Sequence, residues 1–249
     1  MELQYEVPEV CPICESPGPF PLSGNVKKIR ILGGQVTYVR CARCGGEFHS
    51  PMWTPETMDE WYSSGTYVKA AGDGLSPERA QCAATRRVAI MQALGINILP
   101  RFLEFGSGEG YLLREVKRVY NSEVVGIEKD PNRRQAMAGT NDPEGQFNVI
   151  AAMHSLEHVN KPLEVLRWLM TMLIPGGLVL IEVPVTGMKY CESHCIAFTQ
   201  DSLGIMTKLA GLKMIAEMTP VLVGAMFGLW RRDEGEGQKP QGGQADQED

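Results

Sequence analysis

Glycine occupies every second position of Gly106-Ser107-Gly108-Glu109-Gly110, directly after the apolar run Phe102-Leu103-Glu104-Phe105. A strand that reaches an acid and then runs into bare backbone predicts a tight turn whose main chain lies against a ligand. A side chain would block that approach, and the turn needs dihedrals that only glycine adopts freely. The spacing is E-x-G-x-G-x-G, which differs from the G-x-G-x-x-G of dinucleotide-binding turns.

The flanking sequence alternates strands and helices. A helix is expected from Ser76-Pro77-Glu78, where serine caps, proline fits the first turn and the acid suits the positive end. Ala80, Ala84, Val88, Met91 and Leu94 recur at helical spacing, and Gly95 ends the pattern. Next come a strand at Arg101 to Phe105, a helix at Tyr111 to Tyr120, a strand at Val124 to Ile127 ending in Glu128, and a strand at Phe147 to Ala152. An amphipathic helix follows from Pro162 to Leu173, closed by Pro175-Gly176-Gly177. A strand at Leu178 to Val183, a helix at Thr199 to Ala210 and a pair of strands within 212–230 complete the series. Such alternation predicts an α/β, Rossmann-like fold over 76–230, with a mostly parallel sheet and helices on both faces.

Residues 1–50 carry Cys11-Pro12-Ile13-Cys14 and Cys41-Ala42-Arg43-Cys44, with 26 residues between the pairs. Two C-x-x-C knuckles present four thiolates at a bite that suits tetrahedral zinc, and a saturated four-sulfur site leaves no position for reactive water. Cys11, Cys14, Cys41 and Cys44 therefore read as ligands of a structural zinc; the alternative is four free cysteines. Between them, two strands flank Gly33-Gly34 as a hairpin. His49 reads as a surface or packing residue. Residues 51–75, rich in Pro, Trp, Tyr and Gly, read as a linker.

The chain has 249 residues, with 24 basic and 30 acidic side chains and a net charge of −6. That balance argues against a protein built to grip long nucleic acid. Met1 to Val10 holds Glu2, Glu6 and Glu9 with no apolar stretch, and the longest apolar run, Val221 to Trp230, is too short for a bilayer. A soluble, cytoplasmic protein is expected, ending in a disordered acidic tail over 231–249.

The E-x-G-x-G-x-G turn, Glu128 about twenty residues beyond it, His154-Ser155-Leu156-Glu157-His158 and Leu173-Ile174-Pro175-Gly176-Gly177 together resemble the class I S-adenosylmethionine-dependent methyltransferases over residues 76–225. The N-terminal ribbon makes the chain similar to the sugar C-methyltransferases within that group. The resemblance implies S-adenosylmethionine as cofactor and a small-molecule acceptor such as a sugar nucleotide. Its cofactor residues are Glu104, Gly106, Ser107, Gly108, Gly110, Tyr111, Glu128, Lys129, Met153 and His154, with Glu104 and the glycines at the methionine portion and Glu128 at the ribose. A hydroxyl or carbon acceptor also needs a base. His154, His158 and His194 all follow strand ends, on the ligand face of such a sheet; His194 is the first candidate and His154 the second, while His158 either has a chemical role or caps and packs a helix. Cys191 and Cys195, which flank His194, read as buried small apolar residues, with metal binding the alternative.

The chain departs from the family at Asn148, where an aspartate is usual, and at the sixteen residues between Asp130 and Phe147. So short a span leaves the third strand absent or reduced, with Asp142 the substitute for the acid that usually meets the adenine. Two further functions stay open. One is an RNA-modifying methylase whose ribbon uses Lys27, Lys28, Arg30, Arg40 and Arg43. The other is a scaffold that keeps the fold without catalysis.

Overall fold

The computed structural model describes residues 4–23, 29–31, 34–64, 76–136, 143–184, 194–218 and 225–232. Expectations resting on Lys27, Lys28, Gly33, Asp142, Cys191, residues 65–75 and the tail from 233 onward lie outside the described residues.

The N-terminal region holds β1 (Tyr5–Glu6), β2 (Ile29–Ile31), β3 (Gly34–Arg40), β4 (Glu47–Ser50), β5 (Met52–Trp53) and α1 (Pro55–Ser63). The hairpin is present, with β2 antiparallel to β3 and Ile31 opposite Gly34. Within the segment expected to be a linker, however, residues 51–64 carry regular structure. β5 pairs with β1. Thr54 caps α1 by accepting from the Thr57 N–H at 3.3 Å, and Met58 and Trp61 are buried against the core. Thr54-Pro55-Glu56 repeats the capping chemistry of Ser76-Pro77-Glu78, so the composition of the segment masked a local helix signal.

The main sheet follows α2 (Pro77–Ala93). Its elements are β6 (Arg101–Phe105), α3 (Tyr111–Tyr120), β7 (Glu123–Ile127), α4 (Pro131–Ala136), β8 (Phe147–Met153), α5 (Pro162–Thr171), β9 (Leu173–Pro184), β10 (Ile196–Ala197), α6 (Gln200–Leu209), β11 (Leu212–Met218) and β12 (Ala225–Arg232). The strand order is β11-β12-β9-β8-β6-β7. β7, β6, β8 and β9 run parallel, and β12 is antiparallel to both β9 and β11. β9 starts five residues earlier than expected because the Pro175-Gly176-Gly177 turn lies inside it. The register jumps from Phe147↔Leu173 to Val149↔Leu178 across that bulge.

Side chains on neighbouring strand positions go to opposite faces, and the two faces are distinct cores. Phe102, Val149, Ala151 and Leu180 meet Val88 and Met91 of α2 and Leu113 and Val116 of α3. Leu103, Ile150, Ala152, Val179 and Ile181 meet Leu163 and Leu166 of α5 and Leu203 and Met206 of α6. The second core continues without a break into the cysteine module through Ile13, Phe48, Trp61 and Phe198. β10 also adds to the module's own sheet, antiparallel to β4 with Ile196 opposite Phe48. The N-terminal module is thus built into one face of the domain.

Among the described residues, no strand lies outside β7. Asn148 sits at the start of β8, at the far end of the strand from the ligand side, and its Oδ1 accepts from the Arg101 N–H at 3.0 Å. Arg101 also grips Glu123 at 2.7 Å and the Gln146 carbonyl at 2.8 Å. The missing aspartate is therefore replaced by a neutral side chain that ties β8 to β6.

Candidate active site

Sheet order reverses at β6, since the chain goes first to β7 on one side and then to β8 on the other. Ligand crevices of open α/β sheets form at such switch points, beyond the carboxyl ends of the strands. There β6 delivers Glu104 and the glycine turn, β7 delivers Glu128 and Lys129, and β8 delivers Met153 and His154.

Gly106, Gly108 and Gly110 have φ of +73°, +54° and +73°. A Cβ at Gly106 would stand 2.6 Å from Cβ of Ser155, so close approach as well as dihedral freedom requires glycine. The Gly106 and Ser107 N–H groups donate to the Ile127 carbonyl at 2.9 and 3.1 Å. The Gly108 N–H donates to Oε2 of Glu128 at 2.7 Å, and the Asp130 N–H to Oε1 at 2.9 Å. The turn and the Glu128 carboxylate therefore converge on one place.

Beside them opens a cleft of about 520 Å³. Gly106, Glu128, Lys129, His154 and Ser155 line one side, and Trp168 of α5 and Met58 of α1 the other. Lys129 reaches across to form an ion pair with Asp59 of α1, so the segment read as a linker closes one side of the cleft. Glu104, Ser107 and Met153 are buried behind the lining. Gly110 caps α3 in the left-handed conformation, and Tyr111 opens that helix beneath the guanidinium of Arg114.

Glu104 is 4% exposed, and its Oε2 has no hydrogen-bond partner among the described residues. Burial raises its pKa to about 8; Arg87 pulls it down, and the charge of Glu128 pushes it further up. A buried carboxyl with an orphaned oxygen beside a glycine turn suits a cationic ligand group.

His154 has φ of +52°, a strained value for a residue with a side chain. Its Nδ1 lies 3.2 Å from Oε1 of Glu157, and its Nε2 lies 3.4 Å from Oε1 of Glu182. Burial lowers the pKa of this imidazole, but the two carboxylates outweigh it and raise the value to about 9. A ring that is cationic at neutral pH has no free lone pair to take a proton, which argues against His154 as the base. Glu182 is also held by Arg86 at 3.0 Å and Arg87 at 2.6 Å. Burial would raise its pKa, yet His154 and Arg87 bring it to about 2. Sequence reasoning passed over Glu182, although a lone acid in the apolar run of β9 demands partners.

His194 lies deeper. Burial lowers its pKa, so the ring is neutral at pH 7. It stands edge to face with His158, centroids 4.7 Å apart, and His158 lines the cleft. Glu157, taken from sequence only as part of a motif, sits between the histidines with 1% exposure. Cys195 is buried and donates to the Glu157 carbonyl at 3.4 Å. His49 is buried against Tyr38 as a packing residue, 4.5 Å between ring centroids.

The four N-terminal cysteines converge. Cys11 and Cys44 sulfurs are 3.8 Å apart, and those of Cys14 and Cys41 3.7 Å. Four sulfurs at a Zn–S distance of about 2.3 Å have edges of roughly 3.8 Å, so the cluster fits zinc. Each knuckle closes alike, with the Glu15 N–H on the Cys11 carbonyl at 2.8 Å and the Gly45 N–H on the Cys41 carbonyl at 2.9 Å.

The profile of a methyltransferase domain family matches residues 73–217, more than half the chain. No curated protein matches the sequence. Among solved structures, an amino pentose methyltransferase of calicheamicin biosynthesis from Micromonospora echinaspora, bound to S-adenosylmethionine, is 14% identical. The match covers 68% of this chain and 96% of that one with a TM-score of 0.51. The magnesium protoporphyrin IX methyltransferase of Synechocystis PCC 6803 is 13% identical over 72% of this chain and 96% of that one, at 0.52. A [4+2]-cyclase, SpnF, is 15% identical over 62% and 83%, at 0.50. Likeness at these identities establishes the fold, and the matched profile establishes the family. The chain belongs to the methyltransferase domain family, an enzyme family, and has the class I S-adenosylmethionine-dependent methyltransferase fold.

Proposed function

We propose that the protein transfers a methyl group from S-adenosylmethionine to a small-molecule acceptor held in the cleft. The observation that carries this reading is the 2.7 Å bond between the Gly108 N–H and Glu128, which brings bare backbone and a ribose-binding carboxylate to the same spot. In this reading the glycine turn, Gly106 to Gly110 with Ser107, and the start of α3 at Tyr111 bear on the methionine portion. Glu104 meets the ammonium and Glu128 the ribose hydroxyls, while Lys129, Met153 and His154 border the adenosyl group. The bound cofactor supplies an electrophilic methyl on a sulfonium, so the protein's main tasks are orientation and exclusion of water. His194, neutral and joined to the cleft through His158, serves acceptor activation; His154, as imidazolium, positions Glu157 and Glu182. Cys11, Cys14, Cys41 and Cys44 hold a structural zinc.

The volume of the cleft suits a metabolite-sized ligand, and the net acidity disfavours RNA. Calorimetric titration with S-adenosylmethionine tests the reading. Wild type should bind, and Glu128→Ala should weaken binding at least about tenfold, as expected for loss of charge-assisted hydrogen bonds. Absence of heat and of thermal shift at saturating cofactor would instead support a scaffold without catalysis, a reading consistent with the lack of a strand outside β7 among the described residues.

A further inference from the structure

Glu157, His158 and His194 lie together beside the cleft, whose wall includes His158, and the methyl-transfer chemistry does not require all three. One ligand atom from each falls within 4.8 Å of the others. Glu157 follows the end of β8, and His158 is the next residue in the same single turn, Leu156–His158. His194 comes from the far side, two residues before β10. The carboxylate is divided in its duties. Oε1 faces Nδ1 of His154 at 3.2 Å, whereas Oε2 is buried and has no hydrogen-bond partner among the described residues. A buried carboxylate oxygen without a hydrogen-bond donor is costly, and a ring nitrogen of each of His158 and His194 lies within 4.8 Å of the carboxylate.

We infer that Glu157, His158 and His194 form a binding site for a divalent transition-metal ion. Two imidazoles and one carboxylate are the donor set of zinc, manganese, iron(II), cobalt and nickel centres, which keep open positions for an exogenous ligand. Metal–ligand distances of about 2.1 Å bring neighbouring donors to roughly 3–3.4 Å, within reach of small rotations of the two partly exposed rings. His154 then acts as a positioning residue. Its Nδ1–H holds Oε1 of Glu157, its Nε2–H holds Glu182, and Oε2 is left to the ion, in the manner of hydrogen-bonded outer shells around metal ligands. Of the three, His158 lines the cleft, which puts the site at the edge of the space an acceptor would enter.

The consequence for the reaction rests on the methyl-transfer reading. An acceptor hydroxyl on the ion would lose its proton to solvent near neutral pH, as metal-bound water does. The acceptor class is then an alcohol or phenol with a metal-binding oxygen, and His194 activates it as a ligand of the ion.

The test counts metal with no methyl donor present. Protein stripped with chelator and dialysed against cobalt(II) should hold two equivalents, one giving the thiolate absorption of the cysteine site and one without sulfur. Glu157→Gln and His194→Ala should each lose the second equivalent and keep the thiolate band, with far-ultraviolet circular dichroism unchanged. A wild-type protein that keeps its thiolate band but holds a single equivalent overturns the site. So do folded variants that still hold two, and Glu157 is then only the acceptor for its neighbouring histidines. Cofactor titration on the same samples separates this failure from failure of the methyl-transfer reading, because the two ligands are measured independently.

Discussion

The hydroxyl of Tyr38 donates a hydrogen bond to the main-chain carbonyl of His194. Tyr38 belongs to β3 of the cysteine module, 156 residues away in sequence, and is 1% exposed. The same stretch is fixed again where the His49 N–H donates to the Cys195 carbonyl at 3.0 Å and where β10 pairs with β4. The backbone that carries His194 is therefore an edge of the cysteine module, and the module positions a group of the candidate active site.

Tyr38→Phe removes this bond and leaves a buried carbonyl short of a donor, which costs about 1–3 kcal/mol. For a chain of this size each kcal/mol lowers the melting temperature by about 2–4 °C. The melting curve should shift accordingly, and turnover should fall while affinity for S-adenosylmethionine stays as in wild type. A variant that loses cofactor affinity but keeps turnover at saturation would contradict this placement of Tyr38.

Cys41→Ser should remove the metal of the cysteine site and lower the melting temperature of the whole chain in one transition. The ribbon residues Ile13 and Phe48 share one continuous core with Leu166 and Ile181 of the main domain, and a structural zinc contributes its binding energy directly to folding. Differential scanning calorimetry decides. A separate early transition, with the main one unmoved, would mean the module folds on its own.

The glycine turn, its flanking strands and the four thiols were legible because each is encoded within a few adjacent residues. The helix Tyr111–Tyr120 and the cap at Ser76, which accepts from Arg79 at 3.4 Å, fall where residue pattern alone put them. The role of residues 51–64 was not legible from composition. Pro, Trp and Tyr read as irregular connection until Met58 and Trp61 are seen to fill the core and Asp59 to reach Lys129. The Glu182 network was hidden for a different reason. Its partners Arg86, Arg87 and His154 come from a helix and a strand end, and pairings across an α/β sheet leave no local trace. The same holds for Glu157 and His194, whose meeting depends on β10 joining β4.

Gly106→Ala should be severe for its size. The residue has a φ of +73°, where an L-residue costs about 1–2 kcal/mol, and its Cβ would meet Ser155 at 2.6 Å. Stability should drop, and calorimetry should show cofactor binding abolished. Gly95→Ala provides the comparison. Its φ is +82° but nothing lies within 4 Å of the added Cβ, so it should lose stability by the backbone term while binding normally. Equal binding by both variants would show that the turn does not face the cofactor.

Glu104 gives the protein a proton to release. Burial holds its carboxyl at about 8 against an ordinary value of 4.5, so at pH 7 the unliganded protein keeps it protonated. A raised carboxyl pKa means the folded state binds more protons than the unfolded chain between those values, and stability falls as pH rises through that window. Glu104→Gln, which cannot ionise, should flatten this part of the stability profile. An ammonium placed against Glu104 favours the ionised form, so cofactor binding at pH 7 should expel a proton. Titrations at pH 7 in buffers of different ionisation enthalpy should give different apparent heats, and the spread should shrink at pH 9, where the carboxyl is already ionised. In Glu104→Gln the contribution of this group should be absent at both pH values. Heats at pH 7 that do not change with buffer would show that Glu104 does not meet the cationic end of the ligand.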